Sequence, residues 1–450
     1  MTRLSFAGGR ASAGGRTSSG GRASPRHKRR RATVGTAFAD GGNCFNFLRV
    51  ALAMVVFVQH IWSAGGFGLT RFGRYEPGAL AVDLFFVISG FLITYSRVRL
   101  PSTARYLWHR SLRILPAFWV CLAVVALVIA PLAWLHDHGS LDGYFGGAPH
   151  GPFRYIVANS TLKISFYDIL GTPTGVPLSP PRIGPTAAWN GSLWSLWWEF
   201  VCYLGVAFLV LVGVIPRRRR MVVAIAAVLW AALVAHWLVP DASGVLGVLG
   251  SGLAGGVLRI GPLFLCGSLL YLYGDRIPLS GPLAGLCVVV IAAGGFLTEP
   301  HVLIDPPLAY LCLWLALRLP FRRVGSRVDL SYGLYIYTSP IQQLMAVYGV
   351  HRHGVVAYFS ACLLLSVAVS VASWYAVEAP ALRLKHATPG VAGLLRRRRA
   401  SGQGASGQGA AVAVAVPRQR GPHGGGAWEP PSATPVKTAN ETDAASQMLE

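Results

Sequence analysis

Apolar residues in this chain come in blocks close to twenty residues long, separated by short polar connections. Each block is near the ~20 residues that a helix needs to cross a hydrocarbon core of ~30 Å. Ten can be marked, at roughly 45–64, 79–96, 112–133, 193–214, 221–239, 254–273, 281–297, 304–319, 331–350 and 354–376. The pattern predicts an all-α polytopic membrane protein with about ten transmembrane helices. Residues 1–42 repeat a Gly-Gly-Arg phrase and end in Arg26, Lys28, Arg29, Arg30 and Arg31, while 381–450 carry Arg396–Arg399 and then Gly, Ser, Gln and Pro. Both stretches hold too little apolar surface to fold alone and are expected to be disordered basic tails flanking a membrane domain over 43–380. No cleavable signal peptide is expected, because the first apolar run is too long and no small-residue cleavage site follows it.

Composition agrees, with 53% hydrophobic and only 13% charged residues in 450. The net charge of +23 would suggest a nucleic-acid partner in a soluble chain. Here the arginines cluster in the tails and in alternate connections: Arg97, Arg99, Arg105, Arg110 and Arg113, then Arg217–Arg220, then Arg318, Arg322, Arg323 and Arg327. Intervening connections carry far fewer. This asymmetry predicts both tails in the cytoplasm, contact with anionic membrane lipid, no nucleic acid, and the long 134–192 connection outside. The preference for Arg over Lys, with abundant Ala, Gly and Pro, points to a GC-rich bacterium and so to its plasma (inner) membrane. The seven cysteines have neither CxxC spacing nor nearby histidine pairs, so no metal site is expected and they behave as small apolar residues.

Ionisable residues inside apolar spans are costly and mark candidate chemistry. Arg49 and His60 lie eleven residues apart in the first span. That spacing advances a helix by about 16 Å and three turns plus about 20°, so both side chains share a face at different depths. The bland alternative is a snorkelling arginine and an interfacial histidine. Arg110 and Arg113, three apart, converge on one helical face and suit a phosphate or pyrophosphate; alone they would equally flank a third span. Glu199, entering the fourth span after Trp189-Asn-Gly-Ser-Leu-Trp-Ser-Leu-Trp-Trp, needs a cation or hydrogen-bond donors, whether for chemistry or for helix packing. Asp83, near the outer end of the second span, is a fourth candidate or a plain interfacial acceptor. Ser89 and Gly90 beyond it permit close helix approach.

Taken together these phrases resemble the integral-membrane acyltransferase family 3, which includes O-antigen and other polysaccharide O-acetylases, nodulation-factor acetylases and macrolide acylases. The likeness runs over about 44–380. It rests on Phe-Leu-Arg49 through His60, Val82-Asp-Leu-Phe-Phe-Val-Ile-Ser-Gly-Phe-Leu-Ile, Arg110-x-x-Arg113 leading to Pro116, Asn190-Gly-Ser-Leu-Trp through Glu199, Ser331-Tyr-Gly-Leu-Tyr-Ile-Tyr-Thr-Ser-Pro340, and Glu378-Ala-Pro380. In similar proteins the Arg…His pair and the Arg-x-x-Arg pair are required for activity, which carries over to Arg49, His60, Arg110 and Arg113. The chain departs from the pattern at Thr338, where many members have His.

The resemblance and the residues together imply a membrane O-acyltransferase moving an acyl group from acyl-CoA, acetyl-CoA first, to a hydroxyl of a cell-surface glycan or a glycosylated natural product. Arg49, Arg110 and Arg113 would bind the donor's phosphates. His60 would act as general base or as a transient acyl carrier, with Glu199 orienting it or serving as a second base. A transporter or flippase of a lipid-linked sugar is the alternative, and paired internal repeats would favour it.

Overall fold

The computed structural model describes residues 32–386 apart from 69, 101, 148, 178–187, 240–251 and 326–327. Its secondary structure is helical, with no strand beyond isolated bridges among the described residues. Each of the ten expected blocks contains a helix. In chain order they are α2 (Phe45–Ala64), α3 (Pro77–Arg99), α4 (Thr103–Val124), α7 (Trp194–Leu211), α8 (Arg219–Leu238), α9 (Gly252–Leu272), α10 (Gly281–Gly294), α11 (His301–Arg318), α12 (Ser331–Val347) and α13 (Val355–Ser373). Short helices α1 (Val34–Ala39), α5 (Ala130–His138), α6 (Pro152–Asn159) and α14 (Ala379–Arg383) complete the set.

Among the described residues seven helical stretches are long and apolar enough to cross a membrane: Phe45–Ala64, Pro77–Arg99, Thr103–His138, Gly191–Leu211, Arg219–Leu238, Gly255–Leu272 and Val355–Arg383. Two of the other three have a physical reason for falling short. α10 has only 14 residues. α12 is buried along almost its whole length and carries Ser331, Thr338, Ser339, Gln342 and Gln343. A helix surrounded by protein need not match lipid in polarity, so its composition weakens the signal that sequence windows detect. Thr103–His138 errs the other way. Its 36 residues would extend about 54 Å, well beyond the hydrocarbon thickness, and it continues from α4 to α5 through a wide turn at Val125–Ile129.

Residues 34–39 and 381–386, expected within the tails 1–42 and 381–450, are helical. Thr33 caps α1, accepting from the Thr36 backbone N–H while Thr36 Oγ1 accepts from the Thr33 N–H. Val34 is fully buried, with its N–H bonded to Ile277 O at 2.9 Å. A six-residue helix in a Gly- and Arg-rich run is too short to show periodicity. At the other end α14 continues α13 through Trp374–Glu378. Residues 1–31 and 387–450 lie outside the described residues.

Small residues set the closest helix pair. A Cβ on Gly90 of α3 would run into Phe264 O of α9, and one on Gly267 would run into Val87 O. Beside them Thr94 Oγ1 donates to Ser268 Oγ at 3.0 Å, and Ser268 Oγ meets Gly90 O at 3.2 Å. Glycine here permits backbone approach, and the hydroxyls satisfy each other where water is scarce. The described part of the 134–192 connection folds back onto the helices. Tyr144 OH reaches Ala126 O at 2.7 Å, Asn190 donates to Tyr155 OH at 2.7 Å, and Ser339 of α12 donates to Trp189 O at 3.1 Å.

Candidate active site

The start of central helix α12 organises the polar interior. Asp329 accepts from the Ser331 N–H at 3.1 Å and the Ser331 hydroxyl at 2.5 Å, both on its Oδ1. Its other oxygen, Oδ2, takes Arg49 Nη1 of α2 at 3.1 Å and Arg113 Nη2 of α4. Arg113 also points Nη1 at Glu378 Oε2, 3.9 Å away. Burial by itself would raise the Asp329 carboxyl, but the two guanidiniums and Ser331 hold it well below the usual carboxylate range. Four helical segments distant in sequence are thereby joined at one charged knot.

Arg49 faces a cavity as well. Arg49, Ser89, Ser195, Glu199, Ser331 and Tyr335 are among the groups lining a small, partly open cavity of about 60 Å³, with Phe85, Phe86 and Ile88 of α3 as its apolar side. Glu199 Oε1 accepts from Ser89 Oγ at 3.1 Å and from Tyr203 OH at 2.5 Å. Ser195 and Tyr335 share a hydrogen bond of 2.5 Å. The cavity therefore holds a guanidinium, a carboxylate steadied by two hydroxyls, and an apolar wall. That is the mix expected of a site for a ligand with one charged and one greasy part.

The expected site residues separate into groups. Arg49 and Glu199 share the cavity, while Arg113 supports it from behind through Asp329. Arg110, three residues earlier on α4, instead sends Nη2 to Ser96 Oγ of α3 at 3.3 Å and is nearly buried. One helical face thus serves two neighbours. His60 does not line the cavity. Glu199 sits level with Ser89 and Arg49, whereas His60 is eleven residues, about 16 Å, farther along α2. The expected contact between Glu199 and His60 is accordingly not found among the described residues. The half-buried His60 ring makes no hydrogen bond there either, which leaves both nitrogens available. Thr338, in the position of the missing histidine, is buried and donates to Leu334 O at 2.5 Å, so it closes on its own helix.

Sequence reasoning missed Asp329 as the hub. An Asp two residues before a helix start looks ordinary, and which cations reach it depends on tertiary structure. It also left Asp83 without its partners. Asp83, fully buried, takes Arg259 Nη1 of α9 at 2.6 Å and faces His301 Nε2 at 3.7 Å, and His301 Nδ1 meets Asp305 at 2.9 Å. Arg259 and Asp305 stood inside expected spans and carried the signal that singled out Arg49.

Comparison with known proteins bears on this arrangement. A family model described as an acyltransferase domain matches residues 43–375. Nodulation protein 10 of Rhizobium leguminosarum bv. viciae is 27% identical over 359 residues, covering 76% of this chain and 94% of its own. An O-acetyl transferase of Shigella phage Sf6 is 26% identical over 368 residues, covering 75% of this chain and 95% of its own. No solved structure matches.

Proposed function

Because the chain belongs to this family of membrane acyltransferases, we propose that it carries an acyl group, acetyl in the first instance, from acyl-CoA to a hydroxyl of a cell-surface glycan or a glycosylated small molecule. The observation that carries this reading is the cavity that joins Arg49 to Glu199. Partly buried groups of opposite charge facing one empty space inside a membrane domain are costly unless a ligand uses them. The ten helices, with α10–α12 completing the crossings, would set both termini in the cytoplasm of a bacterial inner membrane. That orientation puts the Arg49 end of α2 toward the acyl-CoA supply.

In this reading the donor's thioester arm lies along the cavity. Arg49 presents the cationic end, its guanidinium aimed by Asp329, and Arg113 holds Asp329 in place. Arg113 is therefore a positioning residue for the donor side, with Arg110 beside it on α4. The acceptor oxygen attacks the thioester carbonyl carbon, a C–O bond forms, the C–S bond breaks, and CoA leaves as its thiolate. The reacting carbonyl would have to stand beyond the cavity, at the His60 level of α2, where the hydroxyl proton passes to His60, whose ring nitrogens have no other protein partner among the described residues. Glu199 is the second group able to hold a proton or to oppose a developing positive charge.

A lipid-linked sugar transporter lacks support of this kind, since the family model and the O-acetyl transferase relative point to group transfer. The test is mass spectrometry of surface glycans and secondary metabolites from a deletion strain. The expected result is loss of one acyl mass, restored by the gene. Unchanged acylation in every glycan and glycosylated metabolite would remove the proposal.

A further inference from the structure

A second, larger cavity lies where α1, the C-terminal end of α3 and the C-terminal end of α9 meet, with an empty volume of about 1950 Å³. Three guanidiniums stand around it, from Arg99, Arg219 and Arg322. Arg219 Nη1 is anchored on Leu272 O at 2.8 Å, and the Arg322 guanidinium lies against Gly42. Asp40 and Asp275 also reach the basin, so it keeps one net positive charge from these five side chains.

Aromatic rings form the rest of the wall. Phe38 of α1 meets Tyr95 edge-on at 5.0 Å, Tyr95 meets Tyr271 at 5.7 Å, and the Arg99 guanidinium covers the Tyr95 ring at 4.5 Å. The rings are partly exposed and hold one another in fixed orientation. Helix α1 is part of the enclosure: its Gly35 N–H is bonded to Gly274 O at 2.9 Å, which docks it across the end of α9.

Resting on the acyl-CoA reading above, we infer that this basin is the docking site for the phosphorylated nucleotide end of the donor. Guanidiniums match phosphate oxygens in geometry and charge, and an adenine base needs aromatic or guanidinium faces to stack on. An anionic lipid headgroup would satisfy the cations but gives no reason for the interlocked rings. Different faces of α3 line the two cavities: Phe91, Tyr95 and Arg99 line the basin, and Ile88 and Ser89 line the inner cavity. Ser89 and Arg99 are ten residues apart, about 15 Å along α3. The arginines expected from sequence to hold phosphate, Arg49, Arg110 and Arg113, lie deeper, so the nucleotide is bound by residues that motif reasoning treated only as a topological signal.

The experiment is equilibrium binding of CoA and of pantetheine to the full chain in nanodiscs of neutral lipid, for wild type, Arg99→Ala, Arg322→Ala and the two charge-keeping Lys variants. Loss of one guanidinium–phosphate contact should weaken CoA binding about tenfold or more, with partial recovery in the Lys variants. Pantetheine, which lacks the nucleotide, should lose far less. Equal weakening of both ligands would mean general damage to the fold and overturn the assignment, as would unchanged CoA affinity in both Ala variants. A CoA effect that appears only when anionic lipid is present would assign the basin to lipid. If wild type binds no CoA at all, the donor reading fails first, and this inference falls with it.

Discussion

Arg49 and Arg113, 64 residues apart in sequence, close on the same oxygen of Asp329. Two guanidiniums on one carboxylate oxygen repel each other, and the arrangement persists because Asp329 is fixed by Ser331 and Arg113 has Glu378 as a second acceptor. The knot sets where Arg49 can point, and Arg49 forms one end of the cavity in which Glu199 stands.

Asp329→Asn should therefore cost both stability and function. Removing one partner from a mostly buried ion pair leaves uncompensated charge and costs about 3 kcal/mol. The check is a double-mutant cycle with Arg113→Gln, read by denaturant unfolding in detergent. The losses should be clearly non-additive, and simple additivity would show that the two groups do not act together.

The same carboxyl fixes a pH dependence. Its folded-state pKa lies below the unfolded value of about 4, so its contribution is fully present above about pH 5 and fades as pH falls through the folded value. The difference in Tm between wild type and Asp329→Asn should be constant from about pH 5 to 8 and shrink only in stronger acid. A difference that shrinks steadily between pH 8 and 6 would contradict the ion-pair account.

Glu199 is held by hydroxyls that can be removed singly. Tyr203→Phe and Ser89→Ala each delete one hydrogen bond, worth about 1 kcal/mol, and should lower turnover less than about tenfold. Glu199→Gln keeps the shape but removes the charge, and should lower turnover about a hundredfold or more if the carboxylate takes part in transfer. Full turnover in Glu199→Gln would reduce it to a packing residue.

Gly90→Val tests the closest helix contact. Its side chain would meet the Phe264 carbonyl, so membrane-inserted protein should fall sharply, while Gly285→Val, with open space around it, should be tolerated. Equal abundance would mean that α3 and α9 can separate at little cost.

Much of this was legible in the sequence, and the exceptions follow from physical causes. The expected first span at 45–64 coincides with α2, whose apolar run ends in the Gly65-Gly66 pair. The positions of Arg49, Arg113 and Glu199 were marked because a charge in an apolar span stands out wherever it is. Their partners were not, since Asp329 lies just before a helix start, where a carboxylate looks ordinary, and Glu378 lies past the last expected apolar block. α12 was expected to be one span among ten, yet it is the buried axis of the polar interior, and its burial is a property of its neighbours. Which groups meet Glu199 was not legible either, since its hydrogen-bond donors, Ser89 and Tyr203, are ordinary hydroxyls whose approach depends on helix packing.

The most direct test of the account is acyl transfer per mole of membrane-inserted protein for His60→Ala and His60→Gln. His60 has no hydrogen bond among the described residues whose loss would destabilise the fold, so both variants should insert at wild-type abundance. Transfer should fall by about a hundred- to ten-thousandfold, the usual contribution of a positioned general base. Near wild-type turnover in either variant would contradict the assignment and leave Glu199 as the proton acceptor.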